Sequence, residues 1–457
     1  MTSRLKIPPV WIAHCCLAAY IQFAPAAAAQ SSDSGQSDSW PDQRWNLYFQ
    51  STGIGQTHPG FPALYSGTNS LPDVAERRVS WTGTIFADFR IADKFDFVVN
   101  PEIAGGRGFG YVTGIAGFTN GEIPRVAAAA PSAYVARAFI RFTVPLSSET
   151  EVVESGANQL GGPRPISRFT TVAGKFALTD FFDNNTYSHD PRTQFMNWAI
   201  MYNGAWDYPA DVRGYTVGLY QELTIGRWSV RHATALEPTV ANGSTLDTRL
   251  GKNRGETVEY ESRYSPFNKP GAVRVLGYLN REHAGTFLDS LHVAEATGQK
   301  PSLDTSRRHG TEKYGFGLNL EQQIARNIGV FGRYGWSDGK TEAWAFTQID
   351  RSVSGGVSLI GGLWKRPSDH AGVAAVRNYL SGDQRAFLAA GGIGFLIGDG
   401  ALNYRPEAIV EAYYAVPIGK GFTLTGDYQH VQDPAYNHDR GPVSVYSLRV
   451  HWEELIH

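Results

Sequence analysis

The chain has 457 residues, among them 50 Gly, 24 Pro, 11 Trp, 22 Tyr and 24 Phe, with 41 Lys and Arg set against 43 Asp and Glu. That balance excludes a nucleic-acid binder built on a basic footprint, and the 12% aromatic content excludes a disordered chain. Beyond residue 30 no stretch offers the ~18 uninterrupted apolar residues of a membrane helix, which excludes a multi-helix membrane protein.

The N-terminus reads as an export signal. Arg4 and Lys6 form a basic opening, Ile7 to Phe23 is largely apolar, and Ala26 to Ala29 supplies small residues for cleavage. Residues 1–29 are therefore expected to be a signal peptide and 30–44 a polar, flexible leader. Both cysteines, Cys15 and Cys16, lie inside the signal, so the exported chain has no disulfide; loss of Arg4 and Lys6 takes its formal charge from −2 to −4. Export without a disulfide framework leaves a large soluble β protein or an outer-membrane barrel.

Period-two alternation separates these. In 78–91, Arg78, Ser80, Thr82, Thr84, Asp88 and Arg90 alternate with Val79, Trp81, Ile85, Phe89 and Ile91. Arg137 and Arg141 share a face of a strand whose other face is read as Tyr134, Ala136, Ala138, Ile140 and Phe142. Glu259, Glu261 and Arg263 share another. Tyr314, Phe316, Leu318 and Leu320 form one apolar face, and Phe422, Leu424 and Tyr428 a second. Two or three ionised groups per strand suit a water-filled lumen, and aromatics near strand ends suit interfacial girdles.

In chain order the predicted strands are 45–56, 79–92, 95–105, 133–143, 168–178, 213–223, 228–237, 256–264, 272–282, 312–322, 328–337, 350–360, 370–378, 406–415, 421–431 and 442–452, sixteen in all. Short and long connections alternate, as in a bacterial barrel with periplasmic turns and extracellular loops. The exception is 144–167, long on the short side; an extra hairpin around Glu151–Glu154 would raise the count to eighteen. The reading is an all-β, transmembrane antiparallel barrel over 45–457.

Nucleophile elbows, phosphate loops, HExxH helices and CxxC pairs are absent from the sequence. The histidines have no ligand spacing, and Asp180, Asp183, Asn184 and Asn185 read as a solvated or capping cluster before a calcium site. No metal, cofactor or enzymatic activity is expected. A hydrolase embedded in the wall is the enzyme alternative, without a motif in its favour.

The segment Phe181–Gly214 (FFDNNTYSHDPRTQFMNWAIMYNGAWDYPADVRG), with FVVNPEIAGGRG at 97–108, YVARAFIRF at 134–142, KYGFGLNLEQ at 313–322, IDRSVSGG at 349–356 and NHDRGPVSV at 437–445, resembles the carbohydrate-selective porin family of Gram-negative outer membranes over roughly 45–452. The resemblance implies a sixteen-stranded channel passing glucose and similar monosaccharides by diffusion, with loop 179–212 folded into the pore. It also implies an outer-membrane setting among lipid and lipopolysaccharide, as a monomer or homotrimer. Family barrels end on an aromatic residue; here Trp452 is followed by Glu453, Glu454, Leu455, Ile456 and His457.

The expected substrate pathway follows. Strand parity turns Arg78, Asp88, Arg90, Arg137, Arg141, Glu259, Glu261, Arg263, Arg274, Glu321, Arg333, Glu411, Asp427 and Arg449 inward. Glu102 and Arg107 join them from the 97–108 segment. Loop 179–212 would bury its aromatics, including Trp198 and Trp206, and leave Asp180, Asp183, Asn184, Asn185, Asp190, Arg192, Asn197 and Asp207 along a narrowed passage. Phe195–Met201 is expected to form a short helix there. Guanidinium and carboxylate groups exchange hydrogen bonds with sugar hydroxyls, and aromatic faces stack on sugar rings. Alternatives are a non-specific or anion-leaning general porin and an eighteen-stranded polysaccharide-export or attachment barrel.

Overall fold

The structure, a computed structural model, describes residues 43–456 apart from 127 and 347; the expected signal peptide and most of the leader lie outside the described residues. The strands run β1 (Trp45–His58), β2 (Glu76–Ala92), β3 (Phe95–Gly106), β4 (Ser132–Pro145), β5 (Thr150–Val153), β6 (Gly162–Pro165), β7 (Arg168–Phe176), β8 (Thr216–Ile225) and β9 (Trp228–Ala235). They continue as β10 (Arg254–Tyr264), β11 (Gly271–Glu282), β12 (Thr311–Ala325), β13 (Ile328–Ser337), β14 (Arg351–Ile360), β15 (His370–Tyr379), β16 (Glu407–Gly419), β17 (Phe422–Gln432) and β18 (Val443–Leu455). All but β5 and β6 form one closed antiparallel barrel of sixteen strands, sealed by β1 against β18 from Tyr48↔Leu455 to Thr57↔Tyr446. Closure leaves no sheet edge, so the wall pairs its own backbone groups as hydrocarbon surroundings require.

Each of the sixteen predicted segments coincides with a wall strand; the largest offset is at the end of β16, which runs on to Gly419. The extra hairpin in 144–167 exists, but β5 and β6 pair only with each other and β4 pairs directly with β7. The expected sixteen strands therefore stand, and the eighteen-strand alternative falls. At one end four links are two residues long, as at Asp93-Lys94 and Lys420-Gly421, and the others are 265–270, 361–369 and the segment that carries β5 and β6. Lys420 (φ 51°) and Gly421 (φ 76°) adopt the paired left-handed conformation that matches hairpin twist. Both described chain ends lie at this end, the periplasmic one in bacterial barrels.

The outer face is apolar. Tyr314, Phe316, Leu318 and Leu320 of β12 are exposed, whereas Lys313, Asn319 and Glu321 on the same strand are buried inside. Aromatic pairs ring both ends: Tyr428 with Tyr446 towards the long loops, Phe422 with Trp452 towards the short turns. Among the described residues no helix is long and apolar enough to cross a membrane.

Two expectations at strand level change. In β4 the register steps from Asn100↔Arg137 to Pro101↔Val135, leaving Ala136 as an extra residue. Pro101 has no N–H to offer the ladder, and a bulge accommodates it. Tyr134 and Ala136 consequently face inward along with Arg137 and Arg141, while Val135 and Ile140 face out. In β18 the chain continues past Trp452 to Leu455, and the Tyr48 hydroxyl donates to Glu453.

The bore is not open along its length. The long loop after β7 and the loop 107–131 after β3 both fold inward, and their apolar side chains form a core inside the barrel that includes Phe118, Phe182, Phe195, Trp198 and Trp206. The mid-chain loop carries helix α1 (Trp198–Met201), which is shorter than expected. Asn197 caps it, accepting from the Ala199 N–H.

Candidate substrate pathway

A loop without regular structure cannot be buried unless its peptide groups find partners. The wall supplies them. Glu259 of β10 accepts from the Asp183 N–H at 2.8 Å, and Glu321 of β12 accepts from the Thr186 N–H at 2.6 Å. Glu411 of β16 accepts from the Met196 and Asn197 N–H groups. Arg449 of β18 donates to the Pro191 and Gln194 carbonyls at 2.7 and 2.8 Å. Arg333 of β13 donates to the Ile200 and Ser188 carbonyls and pairs with the Asp183 carboxylate at 3.0 Å. Thus much of the charged lining holds the loop; it is not a free ladder for solute.

The same holds for several loop residues expected along the passage. Asp183 also accepts from Asn319 and from the Asn203 N–H. Asn185 donates to Asn319, and Asn184 offers its carbonyl to Asn319. Asn197 donates to the Gly117 carbonyl and Gln429. Asp207 accepts from the Trp344 and Ala345 N–H groups and pairs with Lys313 at 3.3 Å. Trp198 stacks on Phe118 with ring centroids 4.9 Å apart, and Trp206 is buried against Phe182 and Tyr208. These residues fasten the loop because burial of its aromatics draws the neighbouring polar groups to the wall.

The second inward loop, 107–131, escaped the sequence reading, although the apolar run Ile115-Ala116-Gly117-Phe118 is out of place in a solvent loop. The Ala116 and Gly117 N–H groups donate to Glu407 at 2.9 and 2.7 Å. Arg192 joins both loops to the wall: its Nε reaches Glu122 at 2.9 Å and its Nη2 reaches Glu102 at 3.0 Å. Glu102 also accepts from the Tyr215 hydroxyl at 3.1 Å.

Below this junction, on the short-turn side, lies a cavity of about 590 Å³. Of the expected pathway residues, Arg90, Arg137, Arg141, Asp180, Asp190 and Arg192 line it. Arg137 holds Asp180 in a two-pronged pair, Nε–Oδ2 2.7 Å and Nη2–Oδ1 2.5 Å. Phe181 stacks on Tyr220 with centroids 4.1 Å apart and an interplanar angle of 16°. Arg125, Arg164, Arg168, His189 and Glu222 also line the cavity; only their place in the folded chain reveals them. Burial and the nearby Arg333 charge hold the His189 imidazole below its ordinary pKa. Burial acts to raise the Asp190 pKa, but the Arg192 charge and N–H prevail and hold it below the usual carboxylate value.

The remaining candidates lie elsewhere. Arg78 pairs with Glu76 towards the long loops, and Arg107 is exposed beside Tyr111. Asp88 sits behind Arg141 at 3.6 Å, Glu261 lies between Arg231 and Arg274, and Arg263 donates to the Gly226 carbonyl at the short turns. Parity alone could not tell the ends of the bore from its middle. Among the described residues no His, Cys, Asp or Glu group could hold a metal ion.

A polar-lined, sixteen-stranded barrel narrowed by inward loops is a pore architecture. The family model of the carbohydrate-selective porins, the OprB family, matches residues 78–453. The chain belongs to this family. Among solved structures, the high-pH structure of Pseudomonas putida OprB aligns with TM-score 0.67 at 14% identity, covering 90% of this chain and 94% of that one. Among curated proteins, porin AaxA of Chlamydia caviae is 22% identical over 63% of this chain and 54% of its own length. Porin AaxA of Chlamydia muridarum is 22% identical over 62% and 52%. The chain thus spans about half the length of these relatives. The OprB family and the barrel fold point to a channel rather than an enzyme.

Proposed function

We propose that this barrel lets monosaccharides such as glucose diffuse across the outer membrane, with the mid-chain loop as the constriction. The observation that carries this reading is the cavity. It sets the aromatic faces of Phe139, Phe181 and Tyr220 beside the fixed charges of Arg137, Asp180, Asp190 and Arg192. A sugar presents apolar C–H faces and a rim of hydroxyls, and such a lining offers stacking to one and hydrogen bonds to the other. Because these charged groups are already paired, none binds a sugar tightly, and passage needs weak binding. Residues 1–29 would direct export and be removed.

The test is swelling of liposomes carrying the purified protein in isosmotic mono- and disaccharides. Glucose should enter well ahead of disaccharides of the same concentration. Equal rates for sugars and for unrelated solutes of similar size would favour a general porin.

A further inference from the structure

The hairpin β5–β6 hangs at the short-turn end, yet its tip is inside the barrel. Asn46 of β1 donates to the Gly156 and Gln159 carbonyls at 2.9 and 2.8 Å, Asn100 of β3 donates to the Asn158 side chain at 2.8 Å, and Arg141 of β4 donates to the Asn158 carbonyl at 2.9 Å. Asn46 and Asn100 are fully buried on the lumen side. The tip therefore forms the floor of the cavity described above, and Gly156 to Arg164 contribute to its lining.

This floor has an imbalance of charge. Arg90, Arg141, Arg164 and Arg168 gather there with the carboxylates Asp88, Asp96 and Glu151, while Glu222, which also lines the cavity, is neutralised by Arg231 at 2.9 Å. Asp96 pairs with Arg90 and stands 3.7 Å from Arg141, Asp88 stands 3.6 Å from Arg141, and Glu151 pairs with Arg168 at 3.0 Å. Arg164, on β6, lines the cavity, and its partner is the neutral side chain of Gln159 at 3.4 Å. Among the described residues no carboxylate stands within ion-pairing distance of it. Burial together with the like charges of Arg141 and Arg168 makes its protonated form costlier than usual.

We propose that Arg164, with Arg141 and Arg168, forms a station for the carboxylate of a sugar acid at the short-turn end of the pathway. A guanidinium fork takes a carboxylate with two parallel hydrogen bonds. An incoming carboxylate would neutralise the surplus charge, while the sugar's ring or chain occupies the cavity beside Phe139 and Phe181. This deepens the sugar-channel reading and rests on it. Delivery of the station by a periplasmic hairpin, and not by the mid-chain loop, makes the two ends of the channel unequal towards anionic solutes.

The test uses the full-length protein in planar bilayers, with gluconate as probe and chloride and glucose as references. Gluconate should reduce the current at lower concentration from the short-turn side than from the long-loop side. Arg164→Gln should lower the gluconate-to-chloride permeability ratio about fivefold, the order expected of one charge-assisted contact in a partly hydrated site. Arg164→Lys should recover most of it. Symmetric block of the wild-type protein, or equal loss of gluconate and chloride permeation in the Gln variant, would overturn the proposal. If Arg164→Gln does not assemble, the sidedness of block in the wild type decides. Glucose swelling measured in parallel separates failure of the sugar-channel reading from failure of the acid station.

Discussion

Arg192 Nε lies 2.9 Å from Glu122 Oε2, and this contact ties the two inward loops to each other in the middle of the bore. Both side chains are almost completely buried, and the same guanidinium reaches Glu102 on the wall. Replacement by Met leaves Glu102 buried without its ion-pair partner and Glu122 with Arg125 alone at 3.3 Å, a loss of about 3–5 kcal/mol for a broken buried pair. The barrel ladder does not depend on this contact. Arg192→Met should therefore keep the mobility shift between unboiled and boiled samples while single-channel conductance rises and becomes noisy. Adding Glu102→Gln and Glu122→Gln should restore part of the quiet state.

Deletion of Asn184–Tyr208 removes α1 and the aromatic filling that this loop supplies, including Phe195, Trp198 and Trp206. The expected outcome is a folded barrel with larger conductance and no discrimination between mono- and disaccharides in swelling assays. Unchanged conductance in a heat-modifiable deletion variant would mean that another element sets the narrowest point.

Arg137 and Arg141 give a separate prediction. Their replacement with Ala frees Asp180 from its two-pronged partner and releases the Asn158 carbonyl, removing two cations from the cavity lining. Anion preference, read from the reversal potential in a salt gradient, should fall and conductance should rise. Loss of assembly without a change in selectivity of the residual channels would assign the pair to folding alone.

His189 gives a pH dependence whose sign follows from its lowered pKa. The docked loop holds the imbalance of a neutral ring among Arg333, Asp183, Asp190 and Asp180. A released loop would take up its proton near the ordinary value of about 6.5, so the docked state loses stability as pH falls below that value and levels off beneath the folded pKa. Asp190 acts in the same direction but in a lower window: its stabilisation is lost only as pH falls below the ordinary carboxylate range. Gating noise should therefore increase between pH 7.5 and 5 in the wild type, at about those values, and stay flat in His189→Gln.

The wall was legible in the sequence because lipid on one side and polar lining on the other impose a period of two on every strand. Tyr314 to Leu320 shows it without any knowledge of neighbours. The family was legible from long motifs in the loop and adjoining strands. Loop 179–212 was expected inside the bore; loop 107–131 and the contacts that both loops make with the wall were not legible. Parity puts Glu259 and Glu411 inside but is silent on whether they meet solute or a peptide N–H, since that depends on a loop arriving from elsewhere in the chain. Arg164 looked like part of an irregular link, and only the docking of the hairpin tip on Asn46 and Asn100 brings it to the cavity. The extra residue at Ala136 was invisible because a single interruption does not disturb a pattern read over ten positions.

That extra residue has a consequence for how the wall is put together. Two uninterrupted strands can slide past each other by two positions and keep every side chain on its proper face. With Ala136 set against Pro101, any such slide would carry the proline, which lacks an N–H, opposite a partner that needs one, and would strand the surplus residue where the ladder has no room for it. Only one alignment of β3 on β4 keeps both in place. The pair thus acts as an index mark: it fixes how far β3 and β4 reach towards the long-loop end, and with that the height from which loop 107–131 enters the bore.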